Sequence, residues 1–130
     1  VKAFREAVEA RDSAAIEALL ADNVVFTSPV AHKPYPGKPV TAAILRAVLR
    51  VFEDFRYVTE LAGSDERDHA LVFRATVGGR ELTGCDFLHL NADGLIDEFM
   101  VMVRPLSAAQ ALAEAMAAQF PQIQQEAAQG

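Results

Sequence analysis

At 130 residues the chain has the length of one domain, and 52% hydrophobic residues supply enough apolar material for one core and a cavity. A net charge of −6, with lysines and arginines scattered rather than clustered, argues against nucleic acid or an anionic membrane as partner. Cys85 is the only cysteine, so no disulfide forms within the chain and a cytoplasmic setting is expected. No apolar run approaches the roughly 20 residues of a membrane span, and Val1-Lys2-Ala3-Phe4-Arg5 lacks a signal-peptide layout.

Val1, Phe4 and Val8 recur at helical spacing, and Ile16, Leu19 and Leu20 do so again after Arg11-Asp12-Ser13. Asp12 is placed to cap the second of these helices. Val24 to Thr27 is β-branched and aromatic and reads as a short strand. Pro29 to Pro39 holds four prolines and Gly37, which predicts a loop. Thr41 to Phe52 returns to helical period, with Ile44, Leu45, Val48 and Leu49 on one stripe.

From Phe55 the period changes to two. Four runs follow, Phe55–Leu61, Ala70–Val77, Glu81–Leu90 and Leu95–Val103. The second and third are joined by Gly78-Gly79, a two-residue hairpin signal, and the third and fourth by Asn91-Ala92-Asp93-Gly94. Ser107 starts a last helix carrying Leu112, Met116 and Phe120, which Pro121 is expected to stop. The division is therefore one domain over residues 1–120 and a polar, fraying tail over 121–130. Helices followed by a meander are an α+β pattern, with the helices covering one face of an antiparallel sheet.

This order, with Arg11-Asp12, Ala21-Asp22-Asn23, Ser28-Pro29-Val30, Gly37 and Asn91-Ala92-Asp93-Gly94-Leu95-Ile96 at their places, resembles the nuclear transport factor 2-like (SnoaL-like) superfamily over nearly the whole chain. The resemblance implies a cone-shaped domain of helices packed on a curved antiparallel sheet enclosing an apolar pocket, and it leaves the activity open, because the superfamily holds isomerases, cyclases, epoxide hydrolases, dehydratases and non-catalytic binding proteins.

Asp86 is the sharpest candidate for chemistry. Leu82, Gly84, Leu88 and Leu90 share its parity on the strand, so an inward Leu-rich face carries Asp86 inward too. A carboxyl group there is pushed toward its neutral form unless a cation compensates. The segment Asp86-Phe87-Leu88-His89-Leu90-Asn91 is similar to the ketosteroid isomerase strand that carries a neutral acid, itself a worked example of pKa tuning. The competing reading is an Asp paired with an arginine or with backbone N–H groups. The resemblance places the isomerase's proton-shuttling Asp at Ser28 and its oxyanion-hole tyrosine at Phe4. Neither residue supplies the needed group, which argues against dienolate isomerisation by that mechanism.

Arg104 shares the phase of Ile96, Glu98, Met100 and Met102 on the last strand; if that face is interior, Arg104 pairs with Asp86 or takes an anionic group, and Glu98 is a second pocket carboxylate. The opposite set, Leu95, Phe99, Val101 and Val103, is equally apolar, so the alternative is a salt bridge near the sheet edge. His32 and Tyr35 lie in the Pro-rich loop, where His32 is either a base at the pocket rim or a solvated surface residue, and Tyr35 either rim or packing anchor. Phe26, Phe52, Phe73, Leu88, Met100 and Met102 are wall candidates alongside Phe4 and Ser28, or ordinary core.

No histidine–cysteine spacing suits a metal, no Gly-rich loop suits a phosphate, and Ser28 sits in no nucleophile elbow. No cofactor and no metal are expected. Two functions fit: a cofactor-independent isomerase, cyclase or hydrolase of a small hydrophobic carbonyl or epoxide compound, with Asp86, His32 and Arg104 as catalytic candidates, or a non-catalytic ligand-binding or dimerisation domain. A homodimer through the sheet is expected, with Val72, Val101 and Val103 at its interface.

Overall fold

In the computed structural model, which describes residues 1–129, the chain opens with α1 (Lys2–Glu9), burying Phe4, Ala7 and Val8. Arg11, at φ 56°, reverses the chain, and its guanidinium donates to the carbonyl of Leu49. Asp12 then caps α2 (Ser13–Ala18), accepting from the Ala15 N–H at 3.1 Å and satisfying one of the free donors of a helix start. The helix stops short of Leu20, which instead begins β1 (Leu20–Thr27) paired with Ile96.

The Pro-rich stretch is less irregular than its composition suggests. Tyr35 and Pro36 form a two-residue strand, β2, against Val25 and Phe26 of β1. Gly37, at φ 104°, turns the chain into α3 (Lys38–Val51). Pro39 sits in the first turn of α3, where its missing N–H has no helical partner to lose.

The meander follows as β3 (Glu53–Ala62), β4 (Asp68–Val77), β5 (Arg80–Leu90) and β6 (Ile96–Arg104). Gly78 and Gly79, at φ 55° and 77°, make the tight β4–β5 turn that only residues free to take positive φ close easily. The sheet order is β2-β1-β6-β5-β4-β3. Every neighbouring pair is antiparallel except β1 with β6, which run parallel, so the sheet is mixed where the sequence suggested a purely antiparallel one. It is curved and open, and its concave side holds the helices.

The last helix, α4 (Leu106–Gln129), corrects the expectation of a stop at Pro121 and a fraying tail. An interior proline removes one helical hydrogen bond and costs about 3 kcal/mol. Contacts beyond it offset that cost: Ile123 is 1% exposed, and Glu126 meets Arg46 at 3.0 Å and Arg50 at 3.3 Å. These two arginines lie on α3, so the end of α4 is clamped to its neighbour. Gly130 lies outside the described residues. Among those residues no helix is long and apolar enough to cross a membrane.

The core lies between the concave sheet face and the helices. Leu20, Val24, Leu71, Phe73, Val77 and Ile96 are its most deeply buried strand residues, each burial stabilising the fold by about 1.5–3 kcal/mol. The convex face has no such cover, and Val25, Phe87 and Met102 are exposed on it.

Candidate functional site

Alternation along β5 builds the site. Leu82, Gly84, Asp86 and Leu88 are buried on the concave face, whereas Glu81, Thr83, Cys85 and Phe87 are more exposed. Asp86 is therefore carried inward by its neighbours' need for burial, and it is 6% exposed. Its partner is Tyr57 of β3, whose hydroxyl donates to Asp86 Oδ2 at 2.8 Å across the width of β4. Tyr57 is the one buried residue of β3. Phe55 packs edge-on against its ring, with centroids 5.0 Å apart, and Phe73 stacks on Phe55 at 4.8 Å, fixing the tyrosine's position by packing.

Burial without a cation pushes the Asp86 carboxyl up to about 7, against the opposing pull of the Tyr57 hydrogen bond. Burial, and then the charge and hydrogen bond of Asp86, push the Tyr57 hydroxyl far above the ordinary phenol range. Near neutral pH the pair thus holds a carboxyl group poised between its protonated and ionised forms, beside a phenol that keeps its proton.

The pair lies at the wall of an apolar cavity of about 60 Å³. Phe4 and Val8 of α1, Phe26 of β1 and Phe52, just past the end of α3, close one side; Phe73, Phe99 and Val101 form the sheet floor; Leu112 and Met116 of α4 close the top. Ser28, Pro29 and Val30 line it from the loop after β1, and Val30, Leu49 and Met116, which retain some exposure, mark its mouth. Apart from Asp86 and Tyr57, the only hydroxyl in the lining is that of Ser28, whose oxygen accepts from the Val30 N–H at 3.1 Å. Among the described residues no lysine, arginine or histidine lines it.

The structure brings together six of the residues singled out from sequence: Phe4, Phe26, Ser28, Phe52, Phe73 and Asp86. Leu88 is buried on the same face but belongs to the core rather than the cavity lining. Tyr35 does not reach the cavity; its ring packs against Phe120 of α4 at 6.2 Å. His32 is exposed in the loop. Glu98, Met100, Met102 and Arg104 lie outside the cavity lining, on the outward phase of the central strand β6. Glu98, Met102 and Arg104 are exposed there, and no ion pair joins Arg104 to Asp86 among the described residues.

The reason is a β-bulge. Ile96 does point inward, opposite Leu90, but the register slips between that pair and His89–Glu98, leaving Asp97 as the extra residue. Beyond the slip Phe99 faces Leu88 and Val101 faces Asp86, so Phe99 and Val101 inherit the inward face. Val101 and Val103 accordingly pack toward the core and are withdrawn from the expected interface. Tyr57 is the cavity residue that sequence reasoning missed. Its signal was present: a hydroxyl among the apolar, inward-phased residues of a strand two places from Asp86.

Helices packed on a curved, unclosed mixed sheet make an α+β cone, here with a buried acid at the wall of an apolar cavity. The chain matches the SnoaL-like domain family over residues 1–99, and it belongs to that family. Among solved structures it is similar to a steroid delta-isomerase from Pseudomonas aeruginosa, at 46% identity over 92% of this chain and 87% of that one, with a TM-score of 0.88. It is also similar to a conserved bacterial protein with a cystatin-like fold from Silicibacter pomeroyi, at 34% identity over 96% of this chain and 92% of that one, with a TM-score of 0.85. Among curated proteins none matches the chain.

Proposed function

We propose that this protein binds a small hydrophobic molecule carrying a carbonyl or epoxide oxygen, and acts on it without a cofactor as an isomerase, cyclase or hydrolase. The observation that carries this reading is the Tyr57–Asp86 pair in an otherwise apolar cavity. Tyr57 donates to Oδ2, so the proton of neutral Asp86 belongs on Oδ1, free to donate to a ligand oxygen. Such a donor polarises a carbonyl or weakens an epoxide C–O bond, and it acts strongly where water is excluded. A lining without lysine, arginine or histidine favours an uncharged ligand over a carboxylate or phosphate.

The similarity to a protein named steroid delta-isomerase supports the enzyme class. Ser28 and Phe4, both in the lining, argue against the two-residue isomerase mechanism, since one offers no base near neutral pH and the other no hydrogen bond. His32 and Arg104 lie outside the lining, so Asp86 is the acid of this reading.

The second reading, a non-catalytic binding domain, draws on the cavity's lack of any titratable group besides Asp86 and Tyr57. Under either reading we propose a homodimer through the convex sheet face, where Val25, Phe87 and Met102 stand exposed, and a cytoplasmic setting, which the lone Cys85 suits.

Equilibrium binding of phenols graded in acidity, to the wild type and to Asp86→Asn, tests the site. Phenols present an oxygen of adjustable partial charge. Binding that follows acidity in the wild type and loses that dependence in the variant supports the donor role. No binding, or the same dependence in both proteins, removes it. A wild type that sediments as a dimer and becomes monomeric on Phe87→Glu would support the sheet interface, and a wild type that sediments as a monomer would overturn it.

A further inference from the structure

Gly84 lies between Leu82 and Asp86 on the inward face of β5, directly opposite Phe73 of β4. A Cβ at position 84 would meet Phe73 Cζ at 2.2 Å and its two Cε atoms at 2.6 and 2.8 Å. The Phe73 ring therefore occupies the space that any other residue at position 84 would need for its side chain. Gly84 does not have positive φ, so backbone freedom is not what the position requires. It requires the absence of a side chain.

That absence lets the ring of Phe73 lie down on the sheet. Phe73 is a floor residue of the cavity and is 1% exposed. It is also in contact with three other aromatic rings, stacking on Phe55, tilted against Phe52 at 5.6 Å and edge-on to Tyr57 at 6.4 Å. A ring lifted off Gly84 has only the cavity side to move into, because the sheet lies beneath it. The space lost would be next to Asp86. The cavity is small, at about 60 Å³, so a ring entering by its mouth presses on the walls and a small change in the floor is felt.

We propose that Gly84 is a positioning residue that sets the depth of the pocket, acting through Phe73 to decide how large an apolar body fits beside Asp86. The inference rests on the ligand-binding reading above and adds the size selectivity of that site. The ligand class it points to is a single-ring or smaller oxygen compound, with fused rings discriminated against by the height of Phe73. Removing the ring should relax that limit, and adding one carbon at position 84 should tighten it.

The test compares binding of phenol and 2-naphthol, two aromatic alcohols of similar acidity and different size. Gly84→Ala is expected to weaken 2-naphthol relative to phenol by about tenfold or more, the scale on which an apolar pocket discriminates one methylene. Phe73→Leu is expected to shift the ratio the other way. The double variant Gly84→Ala/Phe73→Leu should restore the wild-type ratio or exceed it, a rescue that a purely structural glycine would not show. Should Gly84→Ala fail to fold, Phe73→Leu and the double variant still decide the matter. An unchanged ratio in Phe73→Leu, or a double variant no better than Gly84→Ala, would overturn the proposal while leaving the Asp86 reading intact if the acidity dependence persists. A wild type that binds neither alcohol overturns both.

Discussion

Replacing Asp86 with asparagine should abolish a specific pH dependence of stability. The Asp86 carboxyl is raised from an ordinary 3.8 to about 7 in the folded protein, chiefly by burial. The folded state thus holds the proton more tightly than the unfolded chain does, and this stabilises the fold fully below about pH 3.8. The stabilisation is lost as pH rises, and it is gone above about pH 7, where folding must carry a buried carboxylate. The whole loss is worth about 4 kcal/mol, and the part falling between about pH 5 and pH 8.5 about 3 kcal/mol. Asparagine keeps the shape and can still accept from Tyr57, but it does not titrate. Urea unfolding of both proteins across that range isolates the effect, because other acids cancel in the difference while the m-values should agree. The wild type should lose about 3 kcal/mol relative to Asp86→Asn between the two ends. A difference that stays flat with pH would refute the claim that Asp86 is held neutral by burial.

Tyr57→Phe removes the one hydrogen bond that pulls the Asp86 proton affinity down, so the midpoint of the same pH profile should move upward. It should also cost about 1–3 kcal/mol for the unsatisfied buried acceptor, read from urea midpoints; a midpoint that moves down contradicts the assigned bond. Ile123→Ala should destabilise the protein by about 2–5 kcal/mol despite lying beyond Pro121, and a change near zero would return residues after Pro121 to a frayed tail. Gly84→Ala should cost about 1–3 kcal/mol by overpacking against Phe73, which thermal unfolding measures. His32→Ala and Arg104→Ala should each change stability by less than about 0.5 kcal/mol and leave phenol affinity unaltered, because neither residue lines the cavity.

Much of this fold was legible because the sequence repeats its instructions. The switch from helical to alternating period at Phe55, the Gly78-Gly79 turn and the Leu-rich parity of β5 each point independently to the same meander. Asp86 was legible for the same reason: four apolar or small neighbours of one parity left it no other direction. Parity failed on β6, where both faces are apolar and nothing in the local pattern announces the bulge at Asp97. Only pairing with β5 settles that phase, and pairing is a non-local fact. Pro121 misled in a related way, since a helix breaker read locally is overruled by Ile123 and by the Glu126 contacts to Arg46 and Arg50, some 80 residues away in sequence.

The same distinction explains why Tyr57 went unseen while Asp86 did not. A carboxyl group among leucines conflicts with its surroundings, whereas a tyrosine among phenylalanines does not, until its hydroxyl needs a partner. Once the two are joined, their pairing constrains the chemistry more than either residue alone. A leucine at position 86 would avoid the desolvation cost that the carboxyl incurs at neutral pH, and an arginine or lysine nearby would remove it. The protein has neither, and Tyr57 supplies a hydrogen bond without supplying charge. A carboxyl kept at the edge of ionisation, with one oxygen held by Tyr57 at the wall of an apolar cavity, destabilises the fold above neutral pH. That arrangement is better suited to exchanging a proton or a strong hydrogen bond with a ligand oxygen than to holding the sheet together.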